Sequence, residues 1–188
     1  ILFISPQPYP YGMAASKRIR LFAEYLALNN NVSVVICGKN NGNNVNEGTR
    51  EGVKWQFKKF RRLEYFLNIY KIYFLLKRNY VTNNNNIIMH YDGIGLTNFM
   101  FAIIGRKLGY KIFTDIVEDY DFTEEKESFL RKSLLRVNVF FDKRLTRYAD
   151  GIIVISTTLL NKYLALKFNQ KFIKIVPISA ENLDLNLV

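Results

Sequence analysis

The sequence has little cysteine and little histidine, with one of each in 188 residues. The single cysteine, Cys37, cannot form an internal disulfide, and its place at the end of an apolar run predicts a core thiol. Sparse cysteine is typical of reducing compartments, so we expect a cytoplasmic protein. The single histidine, His90, has no partnered nucleophile in the sequence, which argues against Ser-His-Asp chemistry.

Long hydrophobic runs are missing as well. No apolar run reaches the roughly eighteen residues of a membrane span, so the sequence predicts no transmembrane helix. The apolar run Ile1–Ile4 is too short for a signal peptide and follows no basic segment. The chain begins with Ile rather than Met and turns polar after Pro177. We therefore expect it to be cut from a longer gene product at both ends.

The sequence has fewer acidic than basic side chains. The chain holds 27 Lys and Arg against 16 Asp and Glu, a formal net charge of +11. A charge balance of this kind favours an anionic partner: a nucleic acid, an anionic membrane surface or a phosphorylated substrate.

Glycine-rich phosphate-binding motifs are also absent. The first loop holds one glycine, Gly12, and neither G-x-G-x-x-G nor a Walker lysine motif occurs, which disfavours dinucleotide and P-loop sites. What the loop does offer is Gly12 followed by small residues and a predicted helix, whose open N–H groups favour an anion such as phosphate. We predict substrate binding at Gly12, Met13, Ser16 and Lys17, while a plain turn at Gly12 remains the alternative.

Apolar, β-branched runs alternate with segments of helical period along the whole chain. The strands are predicted at 1–5, 32–37, 53–57, 86–90, 111–117, 151–156 and 172–176. The helices are predicted at 13–28, 62–79, 94–108, 124–148 and 157–168. Alternation of this kind predicts an α/β fold with a doubly wound, Rossmann-like, mainly parallel sheet of about seven strands. Runs such as Gly151–Ile155 are apolar on both faces, as a sheet covered on both sides requires.

Four carboxylates follow one another where the predicted strand 111–117 leaves the sheet: Asp115, Glu118, Asp119 and Asp121. Clustered acids raise one another's pKa and concentrate at functional sites, so Glu118 or Asp119 is a candidate sugar ligand or general base. A solvated loop that caps the next helix is the alternative. Asp119 and Asp121 also form a D-x-D pattern, but such short matches arise by chance, and we predict no metal.

Two further strand ends carry polar residues. His90, Tyr91 and Asp92 follow one another at the end of a predicted strand, where open α/β sheets bind ligands. A lone histidine is also commonly structural, and both roles stay open. Ser156 ends the strand 151–156, where we expect helix capping first and ligand contact second.

The segment 57–80 combines seven Lys or Arg with eight Phe or Tyr and one Glu. On a helix, Asn68 and Lys71 belong to a narrow polar stripe, and the remaining apolar face is wider than packing on one sheet needs. Basic residues beside exposed aromatics suit an anionic bilayer. Core packing with a solvated basic rim is an equal alternative. Nucleic acid would also accept basic residues interleaved with aromatics, but these aromatics lie on a predicted helix and not in a DNA-reading motif, so we expect no nucleic-acid partner. The predicted membrane contacts are Lys58, Lys59, Arg61, Arg62 and Lys71.

Four segments together resemble the amino-terminal half of a GT-B glycosyltransferase, of the family 4 type found in bacterial surface polysaccharide synthesis. They are the strand, loop and helix of 1–27, the acidic strand end of 111–119, the A-D-x-x-x-x-x-S strand of 149–156, and the segment 175–182, where the chain leaves the last predicted strand. Departures from the family pattern are a single loop glycine, Glu118 where histidine is common, and Ser179-Ala180 in place of Asn-Gly.

The resemblance implies transfer of a sugar, with retention, from a nucleotide sugar to a glycan or lipid-linked acceptor, without a cofactor or metal. It implies that 1–178 form an acceptor-binding domain, that 179–188 start an interdomain linker, and that the nucleotide-sugar domain is missing, so the fragment is inactive alone. Gly12 would approach the donor, and Glu118 and Asp119 would be catalytic. The cytoplasmic membrane face is the expected location. The alternative is a non-catalytic module that recruits a separate catalytic subunit.

Overall fold

The computed structural model describes residues 1–37, 46–60, 65–82, 85–91, 95–117, 129–165 and 173–177. The strands are β1 (Leu2–Ser5), β2 (Ser33–Ile36), β3 (Glu47–Arg50), β4 (Val53–Phe57), β5 (Ile87–Tyr91), β6 (Lys111–Ile116), β7 (Gly151–Val154) and β8 (Ile173–Ile175). The helices are α1 (Ala14–Ala27), α2 (Tyr65–Asn79), α3 (Leu96–Lys107), α4 (Phe129–Tyr148) and α5 (Thr157–Ala165).

The strands form one eight-stranded sheet in the order β3-β4-β2-β1-β5-β6-β7-β8. Every neighbouring pair is parallel except β3 with β4. The predicted α/β class with a mainly parallel sheet is therefore confirmed. From β1 the chain first builds the sheet outward through β2 to β4, and then returns to the other side of β1 with β5. The strand order thus reverses between β1 and β5.

Strand β3 is the one strand that the sequence pattern did not predict. Its residues are polar and largely exposed, so no apolar alternation marks it. A tight two-residue turn sets the pairing instead: Glu51 and Gly52 both have positive φ, at 45° and 77°, as hairpins with a short twisted turn require. Gly48 lies directly under the Trp55 indole, where an added Cβ would come within 2.9 Å of the ring.

Two core layers cover the two faces of the sheet. Helix α1 packs on one face, where Ile19 and Ala23 meet strand residues such as Phe3 and Val34. Helices α2, α3 and α4 cover the other face, around the fully buried Phe101. Helix α5 packs Leu159 against β7 and β8 in a smaller cluster. Alternate residues of β1 and β2 thus point into opposite layers, which explains why these strands are apolar on both faces.

Each of the five predicted helices has a counterpart within the described residues. The predicted ends at 62–64, 94, 124–128 and 166–168 lie outside them. Among the described residues no helix combines the length and apolar character that crossing a bilayer demands. The predicted linker start at 179–188 lies outside the described part of the chain.

Candidate functional site

The carboxyl ends of β1 and β5 meet at the place where the strand order reverses, which we call the β1–β5 junction. In open α/β sheets, ligands bind outside the carboxyl ends of the strands at such a reversal. The β1–α1 loop leaves the sheet on one side of the junction, and the segment after β5 leaves it on the other. The loop is fixed at its start, because Ser5 Oγ accepts a hydrogen bond of 2.9 Å from the Gln7 N–H.

Gly12 brings this loop into close contact with the first turn of α1. A Cβ at Gly12 would overlap the Ser16 side chain, at 2.6 Å from its Cβ, and would lie 3.1 Å from Pro8 Cγ. Any other residue at this position would push the loop away from the helix. The requirement for glycine here is therefore one of close approach, and the predicted contact of Gly12 with substrate stays a prediction.

The amino terminus of α1 has no side-chain cap. Met13 occupies the N-cap position in an extended conformation without a capping hydrogen bond, and its side chain is 89% exposed. The first intrahelical bond runs from the Lys17 N–H to the Met13 carbonyl, at 3.1 Å. Ser16 is buried, and its Oγ has no hydrogen-bond partner. An uncapped helix start with a buried hydroxyl beside it is suited to an anion.

His90 is completely buried at the end of β5. The Asn98 amide nitrogen donates to the Tyr91 carbonyl at 3.2 Å, which leaves the Asn98 oxygen facing His90 Nδ1 at 3.1 Å. Nδ1 therefore carries the ring proton, and the buried Nε2 has no partner. Burial lowers the pKa of His90 to about 4, so the ring is neutral at neutral pH. Tyr91 is buried as well. These contacts support the structural reading of His90, and substrate binding by either residue stays a prediction.

A buried ion pair beside the junction was missed by the sequence analysis. Arg18 of α1 binds both carboxylate oxygens of Asp115 on β6, with two N···O distances of 2.8 Å. Its remaining terminal nitrogen donates to the Pro177 carbonyl at 2.9 Å. Burial raises the pKa of the Asp115 carboxyl, and the bidentate contact with Arg18 opposes that rise. The pair ties helix α1 to the sheet and to the chain after β8.

The sequence marked the acidic run as a candidate site, but it gave no sign that Asp115 belongs to a buried ion pair. Tyr91 pairs with Asp115 in the parallel register of β5 and β6, so Asp115 lies one strand away from the junction. The alternation of β6 could have placed it on the α1 face. Nothing in the sequence pairs it with Arg18, which is 97 residues away along the chain.

The remaining predicted residues lie in several places. Ser156 caps α5, because its Oγ accepts the Leu159 N–H at 3.3 Å, and this confirms the capping reading. Lys17 is half-buried in the first turns of α1. Lys58, Lys59 and Lys71 line a groove on the α2 side of the sheet. Residues outside the described part are Asp92, Glu118, Asp119, Arg61 and Arg62.

Two features of the sequence are clarified by the contacts around them. Asn68, expected on the polar stripe of α2, is buried, so that assignment was wrong. Cys37 is half-buried against the core cluster on the α2 side rather than inside it. Burial raises the pKa of its thiol, which makes it a poor nucleophile. In the described ranges no three His, Cys, Asp or Glu side chains gather as metal ligands would, and the D-x-D pattern lies outside those ranges.

Comparison with known proteins adds no relative. No protein-family model matches the chain, and no curated protein does. Its function is therefore inferred from the sequence resemblance together with the fold and the β1–β5 junction.

Proposed function

We propose that this chain is the acceptor-binding, amino-terminal portion of a glycosyltransferase that moves a sugar from a nucleotide sugar to a glycan or lipid-linked acceptor. In this proposal the sheet is the doubly wound, Rossmann-like half of a GT-B architecture, and a second domain supplies most of the donor site. One observation carries the proposal: the loop that Gly12 holds close to α1 and the uncapped start of α1 lie together at the β1–β5 junction.

The junction has the chemistry that a sugar diphosphate requires. The first N–H groups of α1 and the positive end of the helix dipole favour a phosphate group. The unpartnered Ser16 hydroxyl is a further donor within the same turn. Lys17 adds a positive charge one residue later. Met13 and Gly12 leave the approach to this turn open to solvent.

Sugar transfer also needs a base. The hydroxyl of the sugar acceptor forms a bond to the anomeric carbon, and the nucleoside diphosphate leaves with the bonding electrons. The proton of that hydroxyl passes to the base. Both oxygens of Asp115 are occupied by Arg18, so Asp115 is not free for this role. We assign it to Glu118 or Asp119, which follow β6 along the chain.

A non-catalytic module that recruits a catalytic subunit is the second candidate, and the exposed apolar and basic surface of α2 favours it. The gene sequence beyond Val188 distinguishes the transferase from the recruiting module. A continuing frame with another βα-alternating stretch supports the transferase, and a stop codon supports the module.

The anion site is tested with inorganic pyrophosphate as the probe, titrated calorimetrically into the chain. We expect binding, and we expect Ser16→Ala to weaken it about tenfold, the effect of losing one hydrogen bond to a charged group. The folding stability should hardly change, because the Ser16 hydroxyl has no partner to lose. Ser33→Ala on β2 is the matched control. Absence of binding, or equal affinity in Ser16→Ala, would contradict the proposal.

A further inference from the structure

Helix α2 is apolar on both of its sides. Ile72 and Leu76 are fully buried against the sheet, whereas Leu67, Tyr70 and Phe74 are 55%, 64% and 64% exposed on the opposite side. Their spacing of three and four residues aligns them in one stripe along the helix. Packing on the sheet explains the first side alone, and a helix that is apolar all round normally has a second apolar neighbour.

A cationic groove runs beside this stripe. It has a volume of about 260 Å³ and lies between α2 and the residues that follow β4. Among the described residues, its lining includes four cations, Lys58, Lys59, Lys71 and Arg78, and no acidic side chain. Phe74 forms part of its wall and joins the groove to the apolar stripe. The groove therefore combines positive charge with an aromatic ring.

Helix α4 repeats the pattern on the same face of the sheet. Arg136, Phe140, Arg144 and Tyr148 are all exposed and recur every fourth residue, with the Arg144 guanidinium 5.7 Å from the Phe140 ring centre. Helix α3 lies between α2 and α4 and contacts both. The three helix sequences hold eleven Lys or Arg and one acidic residue, Asp142. Their outer surfaces together form what we call the helical face.

We propose that the helical face docks on an anionic lipid bilayer, with the groove receiving phosphate headgroups and the exposed rings entering the interface. Amphipathic surfaces bind in this way when apolar side chains reach the headgroup boundary and Lys or Arg contact anionic lipid. The inference does not depend on the proposed sugar transfer, because none of its residues lies at the β1–β5 junction.

Two other occupants fit the surface less well. A second copy of the chain related by two-fold symmetry would bring one basic surface against another, since the described lining of the groove holds cations and no acidic side chain. A nucleic acid would use the cations and the rings, but aliphatic side chains such as Leu67 and Val137, exposed by 55% and 49%, provide no stacking surface.

Vesicle flotation tests the proposal. The full chain is mixed with vesicles of phosphatidylcholine alone or of phosphatidylcholine with phosphatidylglycerol, at ~0.1 M and ~1 M salt. We expect retention on the anionic vesicles and release at high salt, because the screening length falls from about 10 Å to about 3 Å. Lys58→Gln with Lys59→Gln should lower the partition about tenfold to thirtyfold. Tyr70→Ser with Phe74→Ser should lower it as well.

Matched controls lie on the other side of the sheet. Lys111 and Lys174 are exposed strand lysines, and changing both to Gln removes the same charge. Tyr25→Ser with Leu28→Ser removes exposed apolar surface from the α1 side. If both control variants stay bound to the anionic vesicles, the proposal is supported. Equal binding to the two vesicle types, equal loss in the controls, displacement by single-stranded DNA, or a dimer that hides these residues would each overturn it. Circular dichroism verifies that every variant is folded.

Discussion

At the scale of single residues, His90 shows how burial sets the charge state of a side chain. The ring has no exposed surface and one hydrogen bond, from Nδ1–H to Asn98. Burial lowers its pKa from 6.5 to about 4, and the contact with Asn98 opposes the change. Protonation would place a charge in the core beside Phe101, which lies 6.5 Å away between ring centres. Folding therefore favours the neutral ring.

The free energy of unfolding should fall between pH 6.5 and pH 4, because the unfolded chain binds a proton at His90 that the folded chain excludes. The contribution is about 3 kcal/mol, from the size of the pKa change. His90→Gln should remove this part of the pH dependence, whatever its effect on stability at pH 7. Urea unfolding of both proteins across this range measures it. Parallel pH curves would contradict the buried, neutral ring.

At the scale of elements, the contact between α1 and β6 depends on a pair of opposite charges. The Arg18 and Asp115 side chains are only 6% and 2% exposed. Arg18 also lies over the Phe22 ring, at 4.7 Å from its centre. Loss of one member would leave the other charge buried without a partner, which costs more than the pair contributes.

We expect Arg18→Met to lower the free energy of unfolding by about 3–5 kcal/mol. Arg18→Met combined with Asp115→Leu should recover most of this loss, because no buried charge remains. The matched control is Arg106→Met, which breaks the more exposed pair of Arg106 with Asp150 and should cost about 1 kcal/mol or less. Chemical denaturation measures all three. A similar loss in Arg18→Met and Arg106→Met would be inconsistent with a buried charge.

Much of the fold at this scale could be predicted because apolar periodicity is a local signal. The helices and seven of the eight strands follow from it. Strand β3 does not, since its residues are exposed and its pairing depends on the turn at Glu51 and Gly52. Asn68 was misplaced because helical spacing shows which residues share a side, but not where the boundary of the buried side lies. The Arg18–Asp115 pair joins distant segments, and one sequence alone carries no signal for it.

At the scale of the whole molecule, the chain has two distinct surfaces, the β1–β5 junction and the helical face. The β1–β5 junction combines a packed loop and an uncapped helix at the carboxyl ends of two central strands, with a buried ion pair one strand away. The helical face carries basic residues on α2, α3 and α4 and exposed aromatic residues on α2 and α4. The proposed transferase uses the junction for sugar chemistry and the helical face for contact with a bilayer. The sequence marked the first loop and the basic aromatic segment 57–80 as candidate sites. The structure adds the exposed residues of α4 to the same side of the sheet as α2.

Sugar transfer from nucleotide-sugar donors to lipid-linked and glycan acceptors tests the central claim most directly. The assay compares the chain alone with the chain joined to a nucleotide-sugar-binding domain. We expect little or no turnover by the chain alone, transfer when the second domain is present, and loss of that transfer in Asp119→Asn with Glu118→Gln. Full activity of the chain alone, or unchanged transfer in the doubly substituted protein, would contradict it.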